Sequence, residues 1–247
     1  MIHFADVTCG KDCLMDGEIE GTRISRFMLE AEEEISFSIC DRFARVLLVL
    51  SGEAAVQPAR GILSLHERDS YVQAPLEEVC IRAQKKTLLL ELCRNITGVE
   101  FQAYSQGALP LFTSYEKAPT YREDCKSEKT VSRMLIPART IPRFAMGSVE
   151  TTGDDQVEEH AHPMLEQFFL GFSDNNCTLM IDGVPYPFGP HTLLHIPLGS
   201  MHGVCSKGDQ KIHYIWMDFL FDETGLAYMD RAHRMNYDGQ GHKDVMA

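Results

Sequence analysis

His160 and His162 stand one residue apart in EEHAHPMLEQFFLG (residues 158–171), with Glu166 four positions further on. Imidazole nitrogens and carboxylate oxygens are donor types that hold a divalent metal ion. Spacing decides which backbone could gather them. On a helix, residues two apart point about 200° away from each other, so the two imidazoles could not share an ion. On a strand, side chains alternate, and positions 160, 162 and 166 project to the same side if the chain is extended throughout. Pro163 resists a continuous helix, and EQFFLGF is a short aromatic run of strand type. His202, after Pro197 and Gly199 in HIPLGSMHGV, offers a fourth donor at the start of another strand. A closed or sandwiched sheet can set the two strands side by side. Three neutral imidazoles and one carboxylate would leave two positions of an octahedral site open for water and substrate.

The elements that must position these residues read as strands. RVLLVLSG, ILSL, SYVQAP, TLLLELC, CTLMIDG, TLLHIP and KIHYIWMDFLF are short, apolar or alternating, and bounded by Gly, Pro, Asp or Asn. Asp182-Gly183 between apolar flanks is a strong hairpin signal. Many short strands with such turns predict an all-β sandwich or barrel.

The second half reads as a copy of the first. At a shift of 122, Gly61 falls on Gly183, Pro75 on Pro197, ARVLLVLSG (44–52) on EQFFLGFSD (166–174) and TLLLELC (87–93) on DQKIHYI (209–215). Several coincidences in one register predict a duplication. The expected division is 1–115 and 116–247, with the polar stretch 113–130 as linker and start of the second unit. In this register His160, His162, Glu166 and His202 correspond to Ser38, Cys40, Ala44 and Cys80. The first copy keeps the strands and lacks the donors, so the histidines serve a site rather than the fold.

At these residues the chain resembles the cupin superfamily. HAHPMLE matches the H-x-H-x-x-x-E core of the first cupin motif and PLGSMH matches P-x-G-x-x-H of the second. The resemblance covers about residues 20–95 and 140–220. It implies two tandem jelly-roll barrels, a bicupin, with the metal site kept only in the carboxy-terminal barrel and His160, His162, Glu166 and His202 as ligands. It also implies one divalent ion, Mn or Fe in the first instance and Ni or Zn as further choices, and a homodimer as a common assembly. Two departures bear on turns: Ser173 and His191 stand where the family has glycine.

The expected function is a metal-dependent enzyme acting on a small, oxygen-rich substrate, a carboxylate or sugar-acid derivative. Lewis-acid isomerase, lyase or hydrolase chemistry fits, as does a dioxygenase with Fe. The competing expectation is a non-catalytic, metal-containing protein that binds or senses a small molecule. His213 is the candidate general base, although the sequence does not choose which face of KIHYIWMDF lines the barrel: His213, Ile215 and Met217, or Tyr214, Trp216 and Asp218. His191 and His195 read as structural. Arg139 and Arg143 could clamp a carboxylate at a barrel mouth but read first as surface residues.

A net charge of −13 argues against nucleic acid or anionic membrane as partners. The amino-terminal stretch turns polar too early for a signal peptide, and runs such as VLLVL are too short to span a bilayer. The cytoplasm is the expected compartment, and the eight scattered cysteines are expected to be free thiols. Residues 223–235 have helix-compatible spacing, which predicts a docking helix before a polar end.

Overall fold

The computed structural model describes residues 2–58, 61–162, 164–222, 224–227 and 234–235. Every run read as a strand is one. The long ones are Phe43–Ser51, Thr87–Asn95, Val131–Ile141, Phe144–Thr152 and Lys211–Leu220. Asp182 (φ 49°) and Gly183 (φ 73°) both lie in the left-handed region and join Cys177–Ile181 to Val184–Phe188 as an antiparallel hairpin, the tight turn that Asp-Gly favours. His191, which departs from the family's glycine, also adopts positive φ, 54°. The turn therefore keeps its left-handed geometry and tolerates a side chain there.

The strands form four sheets. A six-stranded sheet, in which Thr87–Asn95 lies between Phe43–Ser51 and Thr22–Leu29, faces a four-stranded sheet containing Glu34–Phe37 and Val79–Ala83. An eight-stranded sheet built around Leu165–Gly171, Lys211–Leu220 and Phe144–Thr152 faces a second four-stranded sheet, in the order 155–160, 202–206, 177–181, 184–188. Each pair of sheets encloses a core. Leu47, Val49, Leu65 and Ile81 fill the first; Phe169, Leu179, Val204 and Trp216 fill the second.

A third core lies between the two large sheets. Val46, Leu48, Leu90 and Leu92 meet Phe168, Leu170, Ile215 and Phe219 there. This explains why ARVLLVL is apolar at almost every position: alternate residues face the barrel interior and the seam, so both faces are buried. Two short strands extend the large sheets. Phe4–Asp6 pairs with Thr192–Leu194, adding an edge strand to the eight-stranded sheet, while Leu111–Thr113 pairs back to Ser70–Val72.

The duplicate register drifts. Leu48 pairs with Leu90 and Leu170 pairs with Ile215, so the offset is 122 on the first strand and 125 on the last. Thr87–Cys93 thus aligns three residues later than a constant shift predicts. Ser36 stands opposite Cys80 as His160 stands opposite His202, so Ser36, not Ser38, takes the place of His160. The pairing slips between Val157 and His160, and an irregularity of this kind changes the local count.

Residues 224–227 form a helical turn, but Arg234–Met235 is a strand paired with Tyr121 and Arg122, not the end of the expected helix. The residues between, and those after 235, lie outside the described residues. Among the described residues, no helix is long and apolar enough to cross a membrane.

Candidate metal centre

His160 ends the strand Asp155–His160, His162 follows it, and His202 begins the paired strand His202–Ser206. Cross-strand pairing of His160 with His202 sets two imidazoles side by side, and His162 closes the triangle. One ligand atom from each lies within 4.8 Å of the others. Ring orientation is fixed from behind. Nδ1 of His160 is 2.7 Å from the Glu158 carbonyl oxygen and Nδ1 of His202 is 3.0 Å from that of Ser200. A carbonyl only accepts, so each Nδ1 carries the proton and each Nε2 keeps its lone pair. The buried His202 Nε2 has no hydrogen-bond partner. Burial, and then the neighbouring His160, push His202 down to about 4, so it stays neutral and able to ligate at physiological pH.

Glu166 is not in this group. The chain leaves one ladder after His160 and enters the next at Leu165, and that interruption resets the alternation of side chains. Gln167 and Phe169 therefore line the cavity. Glu166 faces the seam, with an oxygen 3.5 Å from Nε2 of His195. Nδ1 of His195 is 3.0 Å from Glu18, which also contacts His3. The expectation that positions 160, 162 and 166 share a side assumed unbroken extension, and the break defeats it.

Gln167 occupies the position that the motif glutamate was expected to fill. Its side chain is 5 % exposed and its Nε2 donates to Asp218 at 2.7 Å. That bond orients the amide and leaves Oε1, buried and without a hydrogen-bond partner, as an available oxygen donor. Asp218 is the cross-strand partner of Gln167. Tyr214, Trp216 and Asp218 line the cavity, which decides the face of the 211–220 strand. His213 lies on the other face. Its Nε2 is 2.8 Å from the Tyr115 hydroxyl and its Nδ1 is 2.6 Å from Asp174, away from the three histidines. The candidate general base is thus a seam residue. Arg143 pairs with Glu100, and neither it nor Arg139 lines the cavity.

Two cavity residues come from the stretch read as a linker. Lys126 forms a bridge to Val157 and Glu158 N–H donates to the Cys125 carbonyl at 2.9 Å, so this segment adds to the edge of the histidine-bearing sheet. Glu123 and Lys126, three residues apart, form an ion pair in the cavity wall. Composition marked the segment as polar surface, and nothing local showed that it folds back onto the barrel. Gln167 was legible only as the neighbour of a more obvious carboxylate. The cavity volume is about 30 Å³, room for about two water-sized groups.

In the first barrel an arginine fills the corresponding space. Arg45 sits opposite Cys93 as Gln167 sits opposite Asp218. Its Nε donates to Glu91 at 2.7 Å, its Nη1 donates to the Ser38 carbonyl and to Gln73, and Cys40 Sγ lies 3.3 Å away. The guanidinium rests between Phe37 and Phe43, about 5 Å from each ring centre. A built-in positive charge, already paired and capped, stands where a metal would need open ligands.

No family model matches the sequence, and no curated protein does. Solved structures are similar in fold. A Cupin 2 conserved barrel domain protein from Leptotrichia buccalis aligns with a TM-score of 0.60 at 14% identity, covering 89% of each chain. A putative glyoxylate induced protein from Pseudomonas aeruginosa aligns at 0.69 and 9% identity, over 89% of this chain and 80% of that one. The Lactobacillus farciminis oxalate decarboxylase, in a formate complex, aligns at 0.61 and 11% identity, over 84% and 81%. The chain has the cupin-barrel fold.

Proposed function

From a cupin-barrel fold and a three-histidine cluster in one barrel, we propose that this protein is a divalent-metal-dependent enzyme acting on a small, oxygen-rich substrate. The observation that carries the reading is the set of imidazoles with ligand atoms within 4.8 Å of one another, two of them held in the tautomer that frees Nε2. His160, His162 and His202 would hold the ion, with the Gln167 amide oxygen as fourth donor in place of Glu166. Mn or Fe is the first expectation, Ni or Zn the next; nitrogen and neutral oxygen donors suit all four.

When bound, the ion supplies Lewis-acid polarisation of a carbonyl or carboxyl oxygen. The chain does the rest. Asp218 fixes the Gln167 amide, and Phe169, Tyr214 and Trp216 exclude water from the floor of the cavity, where electrostatic interactions are correspondingly stronger. The small cavity favours a compact substrate. We read the first barrel, plugged by Arg45, as a scaffold within a chain divided near residue 115.

Metal content of protein purified without added metal or chelator tests the reading. About one equivalent per chain is expected in the parent and almost none in a His160→Ala/His162→Ala variant. No uptake by the parent, after exposure to each of the four ions, refutes it. Uptake with ligand-dependent thermal stabilisation but no turnover would instead identify a binding protein.

A further inference from the structure

A cavity of about 30 Å³ holds an ion and little more than a water beside it. A substrate of several heavy atoms reaches the three histidines only if a wall moves, and the walls are unequally held. Most of the lining comes from strands in ladders, 155–160 with 202–206 and Leu165–Gly171 with Lys211–Leu220. Glu123 and Lys126 come instead from residues 123–130, the loop of a hairpin. Its strands, Thr120–Arg122 and Val131–Ile141, close the base through the pairs Thr120–Arg133 and Tyr121–Ser132. We propose that this loop is a gate over the metal centre, latched by Asp155, which swings about the hairpin base to admit the ion and the substrate. This deepens the metal-dependent reading and rests on it.

The attachment of the loop suits a gate. Among the described residues, its backbone joins the histidine-bearing sheet at one bridge, Lys126 to Val157, beside which the Glu158 N–H donates to the Cys125 carbonyl at 2.9 Å. Side chains complete the closure. The Thr130 hydroxyl donates to Asp155 at 3.0 Å, and Lys129 Nζ donates to the Asp154 carbonyl at 3.4 Å. Burial raises the Asp155 carboxyl, but the Ser127 and Thr151 hydroxyls, the Gln156 N–H and the Thr130 hydroxyl outweigh it and hold it below the usual range. Ser127 and Thr130 belong to the loop, so the ionised carboxylate grips it through charge-assisted bonds. Few bonds of this kind separate closed from open, whereas moving a histidine strand would break a ladder. Segments held in this way open locally while the rest of the fold stays intact.

Opening also strands no charge. Breaking a buried ion pair is costly, but Glu123 and Lys126 are both on the loop, so their pair travels whole. The Tyr121 and Ser132 hydroxyls that Lys126 Nζ meets belong to the same hairpin. The pair is thus compatible with a wall that moves.

Two variants of the full chain push the gate in opposite directions. Thr130→Val removes a hydroxyl from the latch and should raise the open fraction by about fivefold to tenfold. Glu158→Cys sets a thiol opposite the native Cys125 in the antiparallel register of Lys126 and Val157. Residues so placed have Cα atoms about 5.5 Å apart, within reach of a disulfide. The position 158 carbonyl that holds His160 is kept. Peptide mapping confirms the cross-link, and the parent treated with the same oxidant controls for the other thiols. Cobalt(II) loss to EDTA is timed on the loaded chain, and hydrogen exchange of the position 158 amide is timed on the metal-free chain. Thr130→Val should speed both by the same factor. Oxidised Glu158→Cys should slow both by at least about tenfold, with reductant restoring the rates, while cobalt affinity at equilibrium stays within about twofold of the parent. A parent that takes up no cobalt overturns this inference together with the metal reading. Cobalt loss that is equally fast from oxidised and reduced Glu158→Cys overturns this inference alone. Where the cross-link does not form, a Thr130→Val chain that exchanges cobalt and the amide proton no faster than the parent overturns it.

Discussion

Gln167→Met against Glu166→Gln separates the motif reading of the site from the geometric one. Methionine keeps the length and burial of Gln167 while removing the amide. Asp218, 3 % exposed, then loses the 2.7 Å bond from Gln167 Nε2, at a cost of about 1–2 kcal/mol to folding. The site loses its oxygen donor as well. Metal affinity should fall by about 10–100-fold, the range seen when groups supporting a metal site are removed, or about 1.4–2.7 kcal/mol. Glu166→Gln removes a contact to His195 that is 3.5 Å long and whose carboxylate side chain is 22 % exposed. Solvent screening limits that pair to about 1 kcal/mol of stability, and metal affinity should stay within about twofold of the parent. Competition against a chelator of known affinity, followed by Trp216 fluorescence, gives the affinities, and urea denaturation gives the stabilities. Equal or greater loss of metal from Glu166→Gln would refute the account of the broken strand.

Arg45→Met should destabilise the chain by about 3 kcal/mol, the lower end for a broken buried pair, because Glu91 would keep only its 3.6 Å contact to the half-exposed Arg23; urea midpoints check this, and metal content should not change. Gly147→Ala places a Cβ 2.3 Å from a Trp216 ring atom and 2.5 Å from the Arg133 carbonyl. The indole must move, so about 1–3 kcal/mol of stability and the Trp216 emission maximum should change together. Tyr115 joins the barrels: its N–H donates to Asp69 and its hydroxyl contacts His213 and Ser148, with Arg68 and Arg133 over its ring. Tyr115→Phe should cost about 1–3 kcal/mol by leaving buried polar groups without partners, as read in thermal melts.

Acid should weaken the same seam. Burial holds His213 below the usual histidine range, against the pull of Asp174 and Glu150. Burial raises the carboxyls of Asp174 and Glu150, but Lys211, His213 and, for Glu150, Arg133 outweigh it and hold both below the usual range. The unfolded chain therefore binds more protons than the folded one, first as pH falls through the ordinary histidine range and again through the carboxylate range. Stability is lost in both windows. Melting temperatures from pH 8 to 3 should show two declines, and His213→Gln should shrink the first without abolishing it, because buried His202 contributes to the same window.

The sequence by itself determined the strands, the Asp182-Gly183 turn, the all-β class and the three histidines. These follow from local chemistry: β-branched and aromatic runs, a dipeptide suited to positive φ, and donor types at a spacing that only an extended chain can use. The tertiary structure decided what local periodicity could not carry. Parity across the 161–164 break put Gln167 inside and Glu166 outside, since a period of two fixes a face only within one unbroken strand. Packing of the two large sheets turned His213 and His195 toward the seam, where both strand faces are buried and apolar pattern no longer distinguishes inside from outside. Long-range pairing of Lys126 with Val157 brought a polar segment to the cavity wall, and register between distant strands put Arg45 where the second barrel has Gln167. Each of these is a relation between residues far apart in the chain, set by which sheets pack together rather than by any stretch of sequence alone.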